Sequence, residues 1–268
     1  MSIYKELAKI EEMNQSGALC TIIRSEGSTP RHEGSKMLVY SNGETLGSIG
    51  GGEVESRVLT EALQSMIDRK SRLLTYNMAD PDRGDPGVCG GQLQIYIEPI
   101  IPKEQVIIIG AGHVGKAIAH LAHWLGFYVV VSDDREQLCN PENIPGGDEF
   151  YPVPLKELPK QIEITSSSYL VMPTRSMEVD LEGLPELLDT TAAYIGVIGS
   201  RRRWAATREK LIDIGVDEEK IARVRSPMGL NLKAEKPEEI AVSIMAEILM
   251  LQGGGDGKPM SGIYPDNE

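Results

Sequence analysis

The sequence predicts an α/β protein in two parts, a mixed α/β domain at the N-terminus and a domain built on a parallel sheet after it. Three observations predict it. Up to about residue 99, short apolar runs are separated by hairpin turn signals, with one long amphipathic stretch among them. Beyond that point strand-like and helical runs alternate, the order that builds a parallel sheet covered on both faces. Where the pattern changes, GAGHVG (residues 110–115) stands between a buried-strand run and a helix, which makes the second part Rossmann-like.

From the N-terminus, Ile3, Leu7 and Ile10 recur at helical spacing and predict a helix from Ile3 to about Asn14. ALCTIIRS reads as a strand, EGSTPRHEG as a turn-rich connection and KMLVY as a second strand, with SNG as the hairpin turn into ETLGSI. The triple glycine Gly50, Gly51 and Gly52 ends that strand. Val54, Val58, Leu59, Ala62, Leu63, Met66 and Ile67 then share one face, so a helix runs from Glu53 to Arg69. SRLLTYN and QLQIYIEP complete a domain over 1–99, and EPIIPKE, with two prolines around a short run, reads as a linker at 99–104.

The second domain covers 104–252. VIIIG, YVVVSD, YLVMP, YIGVIG and IARVRSP read as its strands, with a helix from about His113 to Leu125 after the first. The closing helix, PEEIAVSIMAEILM, has proline in its first turn, two acids beside the positive end of its dipole, and Ile240, Ile244, Met245 and Ile248 as its buried side. Residues 253–268, GGGDGKPMSGIYPDNE, have no helix or strand period and predict a flexible tail.

Composition narrows the function classes. With 41% hydrophobic and 25% charged residues the chain is globular, and 27 Lys and Arg against 40 Asp and Glu leave a net charge of -13, which repels nucleic acid and anionic lipid. No nucleic-acid partner and no membrane span are expected. Cys20, Cys89 and Cys139 are few, odd in number and far apart, which suits a reducing cytoplasm and offers no metal-binding pair. His120 and His123 share a helical face, but no second ligand pair accompanies them, and no metal site is assigned.

GAGHVG is informative because of its flanks. Gly110 permits the tight turn, Gly112 lets a diphosphate sit against bare backbone, and Gly115 lets helix and strand pack closely. Asp133, with Asp134 beside it, ends the next strand where a carboxylate binds ribose hydroxyls, which favours NAD over NADP. His113 lies inside the glycine loop and faces whatever that loop holds. Arg201 and Arg202, in the first turn of RRRWAATREKL with Ser200 as its cap, either hold a phosphate or carboxylate or belong to a solvated face; Arg203 is assigned to the solvated face.

SEGSTPRHEGSKMLV, GSIGGGEVE, CGGQLQIYIEP, GAGHVG, YIGVIGSRRR and SPMGLNLKAEKPEEIAVSI occur in this order. Together they resemble the xanthine dehydrogenase accessory factor family, the XdhC/CoxI family, from about Gly27 to Ile248. The resemblance implies a cytoplasmic maturation factor that binds the molybdenum cofactor, protects it during sulfuration and delivers it to a molybdenum hydroxylase such as xanthine dehydrogenase. It further implies a homodimer that works with a cysteine desulfurase. The chain departs from the family pattern twice: Met177 stands where a histidine is usual, and Lys236 where a small hydroxyl or acidic helix cap is usual.

On that resemblance, the residues take roles. A pterin cofactor with phosphate and dithiolene is large, anionic and easily oxidised, so its carrier needs close backbone and a cation. Gly50, Gly51 and Gly52 would supply amide donors and Arg31 the cation, with Gly90 and Gly91 completing the glycine-rich surface. Cys89 would supply a soft thiolate or carry sulfur as a persulfide, and Glu53 would bind, accept a proton, or stabilise the helix dipole. The alternatives are an NAD(P)-dependent oxidoreductase whose first domain forms the substrate pocket, and a protein whose Rossmann domain serves only to dock its partner enzyme.

Overall fold

The computed structural model describes residues 2–78, Pro86 and residues 90–261. They form two compact units that divide between Pro102 and Lys103. The first contains α1 (Ile3–Glu12), β1 (Gly17–Glu26), β2 (Lys36–Tyr40), β3 (Thr45–Gly47), α2 (Gly52–Asp68), β4 (Arg72–Asn77) and β5 (Gln92–Ile100). Its strands make an antiparallel sheet in the order β3-β2-β1-β5-β4.

Alternation decides which face of that sheet is covered. Ala18, Cys20 and Ile22 of β1 and Leu93, Ile95 and Ile97 of β5 are buried together, and α2 lays Val54, Val58 and Ala62 on them. Each such branched side chain contributes roughly 1.5–3 kcal/mol when fully buried. That packing holds α2 although its N-cap, Gly51, has no side-chain acceptor.

Two expectations are corrected here. Ile67 is 75% exposed: at about 100° per residue Ser65 returns nearly to the direction of Val54, and Ile67 points away. Ser65 takes the buried position and donates to the Ala62 carbonyl at 2.7 Å. Pro99 lies inside β5 opposite Ala18, so the strand continues into the stretch expected to be linker. β4 stops opposite Ile97, which leaves that end of β5 an edge, where a residue without an N–H is tolerated.

The second unit contains β6 (Gln105–Ile109), α3 (His113–Trp124), β7 (Tyr128–Ser132), β8 (Glu149–Tyr151), β9 (Ser168–Met172), α4 (Met177–Leu188), β10 (Tyr194–Val197), α5 (Arg201–Asp213), α6 (Glu218–Ile221), β11 (Val224–Arg225) and α7 (Pro237–Gly253). Its strands pair in parallel, in the order β11-β10-β9-β6-β7-β8. The chain builds outward from β6 to β8, then returns to place β9 on the other side of β6. That is the Rossmann order, with its switch point between β6 and β9.

Successive residues of each central strand feed opposite cores. Val106 and Ile108 join α3 and α7 on one face, and Ile107 and Ile109 join α4 and α5 on the other. Ile244, Met245 and Ile248 of α7 are buried as their spacing predicts, and Ile240 packs at the margin. β8 and a 3-10 helix at Leu155–Lys160 were not legible, because three residues at a sheet edge carry too little periodicity. At the start of α7, Lys236 makes no side-chain cap, and Glu239 instead accepts from the Lys236 and Glu235 amides at 3.2 and 3.0 Å. Among the described residues no helix is long and apolar enough to cross a membrane. Of the tail at 253–268, Gly253 ends α7, 254–261 are exposed, and 262–268 lie outside the described residues.

Candidate functional site

In the first unit the separated glycine segments come together. Gly50, Gly51 and Gly52 have φ of 139, 80 and 62°, which side chains rarely adopt. A Cβ on Gly50 would lie 2.8 Å from Pro30 Cγ, one on Gly91 2.3 Å from the Ser28 carbonyl, and one on Gly27 3.1 Å from the Gly90 carbonyl. The STPR loop is thus wedged between the triple glycine and the Gly90–Gly91 pair. Among the described residues, a Cβ on Gly51, Gly52 or Gly90 would meet nothing within 4 Å.

Arg31 is exposed and, among the described residues, forms no ion pair. Glu53, in the first turn of α2, is exposed and bound by Arg57 at 3.0 Å through Nε. Cys89 lies outside the described residues. Cys20 and Cys139 are buried, and burial pushes the Cys20 thiol up to about 12.

The amide donors differ from expectation. Glu55 Oε1 accepts from the amides of Ile49 (3.0 Å), Gly50 (3.2 Å) and Gly51 (2.9 Å) and from Ser48 Oγ (2.7 Å). Gly50 and Gly51 therefore spend their donors on a carboxylate of their own chain, and the physical reason is a nest of inward-pointing N–H groups that already holds an anion. Burial acts to raise the Glu55 carboxyl, but the bonds from Ser48, Gly51, Ile49 and Gly50 outweigh it and hold the group below the usual range. The only signal for Glu55 in the sequence is an acid one turn after a glycine run.

In the second unit the GAGHVG glycines have distinct tasks. A Cβ on Gly115 would lie 1.9 Å from the Gly110 carbonyl, and one on Gly110, at φ 125°, would lie 2.8 Å from the Pro173 carbonyl. Among the described residues, a Cβ on Gly112 would meet nothing within 4 Å, so backbone is open there. An open cleft lies over the carboxyl ends of β6, β7 and β9, lined by residues that include Gly110, Asp133, Asp134, Arg135 and Arg175.

Charges in that cleft are paired with one another. Asp133 Oδ2 accepts from the Ala111 amide at 2.8 Å and Arg135 Nη2 at 2.7 Å, and Oδ1 from the Arg135 amide and Nε at 3.0 and 2.8 Å. Burial opposes ionisation of Asp133, and these bonds overcome it and lower the carboxyl. A carboxylate expected to take ribose hydroxyls is here engaged inside the chain. Asp134 binds the Arg175 guanidinium at 2.6 and 2.7 Å, which brings its carboxyl down to about 2.

His113 is exposed at the start of α3, and Arg201 and Arg202 are exposed in the first turn of α5. Ser200 caps α5 by accepting from the Arg203 amide at 3.2 Å. Arg203 corrects the expected solvated face: it reaches Asp180 at 2.5 Å and Thr174 Oγ1 at 3.0 Å. From the first turn of α5, after β10, it reaches across to the loop after β9 and to α4. Among the described residues no group of three or more His, Cys, Asp or Glu could hold a metal ion.

Residues 106–248 match the model of the XdhC Rossmann domain, and residues 11–77 that of the XdhC and CoxI family. The chain belongs to the XdhC and CoxI family. Arg31 and Gly50 to Gly52 fall in the second of those matches, and Gly110 to Gly115, Asp133 and Arg201 in the first. Among family relatives, the chain is 37% identical over 259 residues to the uncharacterized protein YqeB of Escherichia coli, covering 96% of this chain and 47% of YqeB. It thus spans about half the length of that relative. It is 24% identical to a Bacillus subtilis protein named as a probable subunit of xanthine dehydrogenase (89% of this chain, 94% of the relative). It is 22% identical to the molybdenum cofactor insertion chaperone PaoD of Escherichia coli (88% and 84%). A crystal structure described as a xanthine dehydrogenase from Bacillus halodurans shares the fold, with a TM-score of 0.51, 23% identity and 98% of each chain covered. In this XdhC and CoxI chain Met177 is half-buried and is the first residue of α4.

Proposed function

We propose that this chain binds the molybdenum cofactor in its first unit and hands it to a molybdenum hydroxylase such as xanthine dehydrogenase. The observation that carries the reading is the convergence of three glycine segments on a side-chain-free surface, open at Gly51, Gly52 and Gly90. A large anionic heterocycle needs close approach to backbone and a cation to meet its charge. The open glycines supply the approach, and Arg31, exposed and with no ion pair among the described residues, supplies the cation. A relative named a molybdenum cofactor insertion chaperone supports the reading.

Cys89, next to Gly90 in sequence and outside the described residues, is the chain's candidate for a soft thiolate ligand. When bound, the cofactor would supply a molybdenum centre able to carry a terminal sulfur ligand. Protection during sulfuration, a cysteine desulfurase as donor, a homodimer and a cytoplasmic location belong to the same proposal.

Purification from a cofactor-producing host tests it. The chain is expected to retain a pterin, read by fluorescence after oxidation, and Arg31→Ala or Cys89→Ala to weaken retention by about tenfold, on the order of 1.4 kcal/mol. A wild-type chain that neither retains nor accepts the pterin overturns the reading. A second reading, a dinucleotide such as NAD(P) in the cleft of the second unit, is favoured by the open backbone at Gly112 and by the strand order. Calorimetry with NAD and NADH decides it, and the absence of heat removes it.

A further inference from the structure

Glu55 sits at the centre of the first unit's candidate site, and the reading above gives it no task. Its Oε1 gathers three consecutive amides and the Ser48 hydroxyl within 2.7 to 3.2 Å. The loop it gathers passes through left-handed φ at Gly50, Gly51 and Gly52, a conformation glycine permits but does not by itself select. Something must select it, and the structure offers one candidate.

We propose that Glu55 is the positioning residue of the triple-glycine loop: it draws the loop's donors inward, so that a ligand meets bare backbone, and leaves recognition of the ligand's negative charge to Arg31. The proposal rests on the reading that an anionic cofactor binds this surface. An incoming phosphate or carboxylate could use the Gly50 and Gly51 amides only by expelling Glu55, since two anions repel at one nest. Once the donors are turned inward, the faces of Gly51 and Gly52 that meet nothing within 4 Å are what the loop offers outward. These faces have no side chain to obstruct the flat face of a heterocycle. Arg31 follows Pro30, which packs against Gly50, so the cation is tied to the loop that Glu55 orders.

Three readouts on the full chain test this: hydrogen exchange at the amides of residues 49–51, pterin retention, and rescue by acetate. In the wild type those amides are expected to be protected without cofactor and no further protected with it. Glu55→Ala is expected to raise their exchange and to lower pterin retention, each by about tenfold, with tens of millimolar acetate restoring both. Glu55→Gln, whose amide oxygen still accepts, is expected to stay within about threefold of wild type on both counts. Arg31→Ala is expected to lose retention with loop exchange unchanged.

Protected loop amides in Glu55→Ala, or a Glu55→Ala chain that holds pterin more tightly than wild type, overturns the proposal, because the freed donors would then be gripping the anion themselves. If Glu55→Ala does not fold, Glu55→Asp, too short to reach the nest, takes its place with the same expected losses. If wild type binds no pterin, the cofactor reading falls, while the exchange and acetate measurements still decide whether Glu55 orders the loop.

Discussion

Asp180 is fully buried, with the Arg203 guanidinium 2.5 Å away and Thr174 donating a further bond. Burial pushes its carboxyl up, and the bonds from Thr174 and Arg203 offset only part of that. Arg203→Ala would leave the carboxylate uncompensated, and is expected to cost about 3 kcal/mol in urea unfolding. Adding Asp180→Asn should recover part of the loss, which a double-mutant cycle would read. Asp134 makes the opposite case: Arg175 holds it at about 2, below the ordinary carboxylate value near ~3.9. The folded value being the lower one, this pair's contribution is complete above about pH 4 and is lost as pH falls through about 2. Carbon-13 titration should find Asp134 raised toward the ordinary carboxylate value in Arg175→Ala, and an unmoved value would refute the attribution. At this scale the sequence was least informative. Arg203 and the exposed Arg201 and Arg202 read alike in RRRWAATREKL, and only the neighbour each one meets distinguishes them.

Elements were legible where their period is long. α2 and α7 declared themselves by apolar spacing, and the parallel strands by short runs of Val and Ile between turns. The glycine loop between β6 and α3 carries a spacing that geometry now explains. A methyl at Gly115 would sit 1.9 Å from the Gly110 carbonyl, whereas one at Gly112 would meet open space at φ -76°. Gly115→Ala is therefore expected to destabilise by more than about 2 kcal/mol, and Gly112→Ala to change thermal stability by less than about 0.5 kcal/mol. Equal effects in calorimetric melting would mean that the loop has another conformation in solution. β8, by contrast, has three half-buried residues, and it is placed beside β7 by pairing, by Phe150 and Tyr151 packing at the margins of the two cores, and by Tyr128 donating to Glu149.

On the scale of the whole molecule, the chain separates into units that each bury their own core, mainly on one sheet face in the first, where α1 also covers Leu38 on the other, and on both faces in the second. Residues 103–261 are expected to fold when expressed alone, with cooperative unfolding, because both faces of their sheet are covered from within. A fragment that melts without cooperativity would show that the first unit is needed. The sequence by itself determined the α/β class, the change after about residue 99 from runs separated by hairpin turns to alternating strands and helices, and the family, since periodicity, glycine spacing and motif order are properties of one dimension. Only the tertiary structure decided that the segments around Gly27, Gly50 and Gly91 meet, and that Glu55 takes the Gly50 and Gly51 donors expected to serve a ligand. A hydrogen bond is a relation between partners, and which partner lies within about 3 Å follows from how strands and loops pack, not from the residue that donates.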